Sequence, residues 1–355
     1  MSSIQPAVSE MTEIGEILRA VTPEIAELLE VRYNILKTVC YQQPIGRRNL
    51  SLALGLTERV LRKEAEILKE NGLLEFSSEG MNISDSGQRI LEGLGLFFHD
   101  VRGLSQLERR LEEYLAIRKV IVVPSEADNW QAALRDIGKA AAGYLKTVLP
   151  EGKVLGITGG TTLYHLIDAY RREGKRQEDL IVIPARGGLG DKVEYQANTL
   201  TEKLAKKLDV SYKQLYTPDF LSKLSIETLM NEPLIREIIE LVERIDVLVF
   251  GVGKAETMAR RRNLSRQEID TILEKGAVAE AFGYYFNQEG QIVYELSTIG
   301  ISLEQFKRLR HLIAVAGGQE KAEAIIAISK LNPSLVLVTD EQAANQILKT
   351  YEEEK

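Results

Sequence analysis

The sequence predicts an α/β protein in which an N-terminal winged helix-turn-helix precedes a doubly wound, Rossmann-like domain. Three observations carry this. Two short helical patterns meet at a glycine between residues 46 and 74. Two short apolar runs follow at 73–84, split by the turn-forming pair Glu79-Gly80. From about Lys119 onward, Val/Ile/Leu runs alternate with helical patterns. Near-continuous apolar strands are what a sheet buried on both faces needs. Strand–helix alternation implies parallel strands joined by helical crossovers.

Residues 1–45 read as helical, with Ile25, Leu28, Val31, Ile35 and Val39 recurring at spacings of three and four. This stripe is expected to complete a three-helix core. The next helix spans roughly 48–54 and breaks at Gly55, which can take positive φ without a Cβ penalty. Thr57 is a plausible N-cap for a second helix over 58–71, stopped by Gly72. Leu61, Ala65 and Leu68 give that helix a buried stripe, and Arg59, Arg62 and Lys63 fall outside it near its start. A helix-turn-helix needs this layout, because the opening turns of its second helix reach base edges in the major groove. Arg47, Arg48, Thr57, Glu58, Arg59, Arg62 and Lys63 are therefore the candidate DNA contacts. The footprint is only slightly basic: residues 46–75 hold six Lys/Arg against five Asp/Glu. The runs at 73–84 read as a β-wing, which makes the motif more specific than two helices alone.

Residues 85–115 read as one long helix or two, with Leu94, Phe97, Val101, Leu104, Leu111 and Leu115 near a heptad-like stripe. This segment is either a connector that pairs with another subunit or an ordinary core helix of the second domain. The strands expected next are 120–123, 153–158, 179–185, 246–252, 311–317 and 334–340, with helices at 130–148, 194–208, 222–243 and 319–331. The domains expected are thus 1–88, DNA-binding; 89–117, connector; and 118–355, effector-binding.

The chain has 355 residues, a net charge of −7 and a single cysteine, Cys40, so no intrachain disulfide forms and a reducing, cytoplasmic setting is expected. No apolar run approaches the ~18 residues of a spanning helix, and the first residues have no signal-peptide pattern. The negative balance argues against a protein whose whole surface binds nucleic acid, but leaves room for a local basic patch.

Ligands of open α/β sheets bind beyond the carboxyl ends of the strands, and here those ends are rich in glycine. Gly159 and Gly160 lead into Thr161 and Thr162 at a helix start, where amides and dipole favour an anion. The run 184–190 supplies Arg186, a bidentate phosphate donor. Two more glycine turns lie at 251–258 and 314–325, the second with Lys321 in its first helical turn. Together they point to a phosphorylated small molecule, although helix–strand junctions also use glycine for geometry alone. Neither a P-loop nor an opening G-x-G-x-x-G is present. His99, His165 and His311 are too scattered for a metal site, so no metal or other cofactor is expected. His165 could line the pocket, though a structural role is favoured. The basic cluster 259–263 reads as a solvated helix or loop face, with subunit or DNA-backbone contact as the alternative.

Taken in order, the winged motif and then ITGGTT (157–162), PARGGLG (184–190), FGVGKA (250–255), EAFGYYF (280–286) and IAVAGGQEKAEAI (313–325) resemble the SorC/DeoR-type bacterial sugar-responsive repressors over nearly the whole chain. That resemblance implies a non-enzymatic repressor of glycolytic genes, released from operator DNA by a sugar phosphate, chiefly fructose 1,6-bisphosphate. It also implies an effector domain related in fold to sugar-phosphate isomerases and glucosamine-6-phosphate deaminases. By the same resemblance Thr161 and Thr162, with Lys321, hold one phosphate. Arg186, the backbone of Gly188 and Leu189, and Gln196 hold the other end, and Glu280 accepts sugar hydroxyls. Without the resemblance, Glu280 could be a surface helix charge. The competing reading is a sugar-phosphate isomerase or deaminase with an accessory DNA-binding domain; it needs a base near the substrate carbon, and Glu280 is the obvious candidate. A homodimer or homotetramer on a near-palindromic operator is expected, with residues 90–115 contributing.

Overall fold

In the computed structural model, residues 20–125, 130–149, 153–172, 179–189 and 192–353 are described. The chain forms two compact units, one running to Ser105 and the other from Gln106 onward. Of the expected stretches, the N-terminal residues 1–19 and Gly190 of the 184–190 run lie outside the described residues.

The first unit is built from α1 (Pro23–Gln42), α2 (Arg47–Leu54), α3 (Glu58–Glu70), a hairpin of β1 (Leu74–Phe76) and β2 (Met81–Ile83), and α4 (Asp85–Val101). Gly55 ends α2 at φ 62°, and Thr57 caps α3 by accepting the Val60 N–H at 3.4 Å. Leu61, Ala65 and Leu68 are buried with Ile35, Leu36, Val39 and Leu50. The expected α1 stripe fails at its start: Ile25 and Leu28 are 53% and 38% exposed. Only the second half of α1 joins the core, because the packed three-helix layer is shorter than this 20-residue helix. The wing pairs as Leu74↔Ile83 and Phe76↔Met81, and Ile45 adds a bridge to Met81. Gly80 sits at φ 145°, and a Cβ there would lie 2.7 Å from the Ile45 carbonyl carbon. Gly80→Ala should therefore cost the first unit about 1–3 kcal/mol through strain and a lost bridge. Thermal melting checks this, and an unchanged transition would refute it.

α4 ends before Gly103, at φ 70°, and α5 (Leu104–Leu115) follows. The 85–115 segment is thus two helices that meet at the division between the units. Leu104, Leu111 and Leu115 are buried, and Phe98 rather than Phe97 is the buried aromatic.

The second unit carries a seven-stranded parallel sheet. Its strands are β3 (Lys119–Val123), β4 (Val154–Ile157), β5 (Ile181–Pro184), β6 (Ser211–Tyr212), β7 (Val247–Phe250), β12 (His311–Val315) and β13 (Leu335–Asp340), in the order β3-β13-β12-β7-β4-β5-β6. All six expected strands are present. The two-residue β6 was not expected, being too short to show a pattern. Between β7 and β12 a four-stranded antiparallel sheet is inserted, also unforeseen: β8 (Gly253–Lys254), β9 (Ala279–Ala281), β10 (Tyr284–Phe286) and β11 (Ile292–Glu295). The expected helix 222–243 is instead α9 (Lys223–Leu229) and α10 (Pro233–Val242). Pro233 lacks an N–H and forces Glu232 into extended backbone, so no helix can run through. The helices before it are α6 (Trp130–Val148), α7 (Thr161–Ala169) and α8 (Ala197–Leu208). Those after it are α11 (Ala255–Arg261), α12 (Arg266–Glu274), α13 (Leu303–Arg308), α14 (Ala322–Ser329) and α15 (Glu341–Glu353).

The open edge of β3 is blunted by α5. Glu112 accepts the Val120 N–H at 2.9 Å and Glu108 accepts the Val122 N–H at 2.8 Å. A carboxylate oxygen on each outward amide removes the template for further strand pairing. No helix among the described residues is long and apolar enough to cross a membrane.

β4 continues to β5 on one side, whereas β7 continues to β12 on the other. A crevice therefore opens where their carboxyl ends diverge, the place where doubly wound sheets bind ligands.

Candidate effector pocket and nucleic-acid interface

A pocket of about 340 Å³ occupies that crevice. Its floor is the β4 exit, Thr158 to Thr162, and the β7 exit, Gly251 to Lys254. Gly160 caps α7 at φ 129° and donates its N–H to the Tyr195 carbonyl at 2.9 Å. The first-turn amides of Thr161 and Thr162 have no acceptor within the helix and form part of the pocket wall. Gly159 lets α8 approach, since a Cβ there would meet the Tyr195 carbonyl oxygen at 2.5 Å.

Of the expected effector residues, Gly159, Gly160, Thr161, Thr162, Arg186, Leu189, Gln196, Glu280 and Lys321 line this one pocket. Several of them are already occupied. The Thr162 hydroxyl donates to the Val315 carbonyl at 2.9 Å, so its proton is already used. Gly188 is not in the lining, and its N–H donates to the Thr217 carbonyl at 2.9 Å. The Leu189 N–H donates to Gln196 Oε1 at 2.9 Å, which ties this loop to the start of α8.

Arg186 and Glu280 belong to a buried ion-pair network that the sequence did not reveal. Arg186 reaches Asp219 through Nε at 2.6 Å and through NH2 at 2.7 Å, and lies 3.4 Å from Glu280 through NH1. Arg262 reaches Asp219 at 3.0 Å and Glu280 at 2.7 Å. Glu280 also accepts the Gly283 N–H at 2.7 Å. Burial alone would raise the Glu280 carboxyl, but Arg262 and Arg186 outweigh it and hold it below its ordinary value. The Arg262 guanidinium is likewise opposed by burial and held charged by Glu280 and Asp219. Burial pushes the neighbouring Tyr285 hydroxyl up to about 12.

Two expectations are corrected here. The cluster 259–263 is not simply a solvated face: the Arg262 side chain is fully buried, Arg261 lines the pocket, and only Arg260 lies outside, paired with Glu256. Glu280 is not a surface helix charge but the centre of strand β9. The turn that presents it, Phe282-Gly283, has φ 58° and 88°, the primed hairpin turn that matches strand twist.

Lys321 stands opposite, in a 3₁₀ turn ahead of α14. Burial holds its ammonium below the ordinary lysine value, Arg261 adds to this, and Glu320 and Asp340 oppose it. Trp130, the one tryptophan of the chain, lines the same wall, its ring 3.3 Å from where a Gly317 Cβ would be. His165 is absent from the lining and packs edge-on against Tyr164.

In the first unit, Arg47, Arg48, Thr57, Glu58, Arg59, Arg62 and Lys63 are all exposed. Arg59, Arg62 and Lys63 stand on α3 away from Leu61, Ala65 and Leu68. Glu64, from the same helix, is buried and takes Arg32 at 2.8 Å. The capped α3 and adjacent wing have the geometry of a reading helix and its flank.

A winged DNA-binding unit joined to an α/β unit with a pocket at the carboxyl ends of its strands defines a ligand-responsive regulator class, and the comparisons agree. Residues 99–349 match the family described as "Putative sugar-binding domain", and residues 28–98 match the family described as "CggR N-terminal DNA binding domain". The chain belongs to this SorC/DeoR-type family of sugar-binding transcriptional regulators. Within it, the chain is 36% identical to the central glycolytic genes regulator of Bacillus subtilis, over 96% of this chain and 99% of that protein. It is 37% identical to the protein of the same name from Priestia megaterium, over 96% and 100%. The full-length sorbitol operon regulator SorC of Klebsiella pneumoniae shares the fold, with a TM-score of 0.67 at 18% identity over 98% of this chain and 100% of that one.

Proposed function

We propose that this chain is a transcriptional repressor of glycolytic genes whose grip on operator DNA is relieved by a sugar phosphate, fructose 1,6-bisphosphate. Residues 1–88 bind DNA, 89–117 connect, and 118–355 bind the effector, in a homodimer or homotetramer. The relatives' shared name supports the gene class. The observation that carries the ligand is the pocket: an open helix N-terminus and Lys321 face Arg186 across one crevice. A small molecule with an anion at each end suits that layout, with Glu280, beside Arg186, for hydroxyls.

The enzymatic reading is disfavoured by Glu280 itself. A general base works best with a pKa near the operating pH, and this carboxylate is driven the other way by two arginines.

A thermal-shift screen of glycolytic phosphates tests the reading. At 100 times its dissociation constant a native-state ligand adds roughly 2.7 kcal/mol. Failure of every sugar phosphate to stabilise the protein would overturn it. On the DNA side, Arg59→Ala and Arg62→Ala should each weaken operator binding by about 1–3 kcal/mol, selectively if a base is read and uniformly if a phosphate is touched. Unchanged binding in both variants, measured by anisotropy, would remove α3 as the reader.

A further inference from the structure

Arg186 has its best donor edge already occupied. A guanidinium offers the Nε/NH2 edge to a carboxylate or phosphate as a bidentate fork, and Asp219 fills that edge at 2.6 and 2.7 Å. Asp219 is 1% exposed and also receives Arg262 Nε at 3.0 Å. Counting Arg186 and Arg262 against Asp219 and Glu280, the network is formally neutral before a ligand arrives. Lys321, by contrast, has no carboxylate within ion-pair distance among the described residues, and Arg261 lines the same pocket. The two ends of the pocket are therefore unequal. At one end Lys321, with Glu320 and Asp340 nearby, is in no ion pair among the described residues; the other end offers an arginine already in a bidentate pair with an internal anion.

We propose that Asp219 is a specificity-determining residue that competes with the second anionic group of the effector for Arg186, and so sets the discrimination between one- and two-phosphate ligands. The proposal rests on the sugar-phosphate reading of the pocket and deepens it. A monophosphate seats at the Lys321 end and leaves the Arg186–Asp219 fork intact. A bisphosphate must draw Arg186 from Asp219, and loosens the segment that carries it. That segment is held by specific bonds: Gly188 N–H to Thr217 O at 2.9 Å, Asp219 N–H to Gly188 O at 2.9 Å and Leu221 N–H to Ser297 O at 3.2 Å. It also presents Tyr216 and Phe220 to solvent at 80% and 42% exposure, so the release reaches the surface of the unit.

Two measurements on the full chain test this, with Trp130 fluorescence reporting occupancy. In Asp219→Asn, fructose 1,6-bisphosphate should bind about ten-fold more tightly, the size of one charge-assisted hydrogen bond no longer contested. Binding of fructose 6-phosphate and of inorganic phosphate should stay within about two-fold. In the wild type, hydrogen exchange should speed up at the Asp219 and Leu221 amides with the bisphosphate and not with the monophosphate. This second measurement decides the matter if the variant does not fold. Bisphosphate affinity that is unchanged or weaker in a folded Asp219→Asn, or exchange at 219–221 that the bisphosphate slows or leaves alone, overturns the proposal. Absence of any bisphosphate binding to the wild type would instead remove the sugar-phosphate reading itself.

Discussion

Arg262→Ala is expected to lower the stability of the second unit by about 3–5 kcal/mol, because it strands the buried Glu280 carboxylate and takes one of two arginines from Asp219. The Arg262 side chain is fully buried, and Asp219 and Glu280 are almost fully so. Removing it leaves only Arg186 for both, at 3.4 Å from Glu280. For a unit of this size each kcal/mol moves the melting temperature by roughly 2–4 °C. The loss should depend on pH with a definite sign. In the wild type the Glu280 carboxyl is below its ordinary 4.5, so its contribution is present above that value and is lost as pH falls through the depressed one. In the variant burial dominates and raises the same carboxyl, so the variant gains relative stability as pH falls. Calorimetry at pH 8 and pH 5 should show the gap between the two proteins narrowing on acidification. A gap that does not narrow would show that Glu280 is not the titrating group, and no gap at all would show that the network contributes nothing net. Replacing Arg186, Arg262, Asp219 and Glu280 together with apolar residues of like volume should cost far less than the single change, since no charge is then left unpaired.

The legibility of this chain in its sequence divides along physical lines. The six long parallel strands were readable because burial on both faces demands unbroken Val/Ile/Leu runs, such as VLVF at 247–250. The helix-turn-helix was readable because capping and positive φ restrict residue choice at Gly55 and Thr57. The hairpin that carries Glu280 was hidden. Its primed turn begins with Phe282 at φ 58°, where sequence reasoning looks for Asn, Asp or Gly. The strain is offset by packing: Phe282 is buried against Phe250 and Phe306, with ring centroids 5.3 and 5.2 Å away. Arg262 was hidden within a basic run whose other members do face solvent or the pocket. Its partners Asp219 and Glu280 lie 43 and 18 residues away in the chain, a pairing that no local pattern encodes. Gly188 and the Thr162 hydroxyl show the reverse error. Their residue types suit an anion, but their hydrogen bonds are already made to Thr217 and Val315.

Lys321→Met is expected to lose about 1.5–3 kcal/mol of effector affinity, the value of a charge-assisted hydrogen bond, or roughly 10–100-fold in dissociation constant. It is a cleaner probe of the pocket than Arg186→Ala, which would break the buried network as well. The variant should also change how binding depends on pH. Without ligand, burial and then Arg261 hold the Lys321 ammonium below 10.5. A phosphate dianion beside it favours the charged form and raises that value. The bound state then carries more protons than the free one over the window between the two values. Affinity must therefore fall as pH rises through the depressed value, and binding within the window takes up protons. On the acid side, protonation of the phosphate near its second pKa of about 6 weakens binding again. Titration calorimetry in buffers of different ionisation heat should detect the uptake on the alkaline side in the wild type. Lys321→Met should show none, and its affinity should be flat there. DNA binding without ligand should survive, because Lys321 lies in the second unit and the exposed arginines of α3 in the first. Equal proton uptake by the two proteins would mean that Lys321 is not the partner of the phosphate, and the ligand would have to be placed the other way round in the pocket.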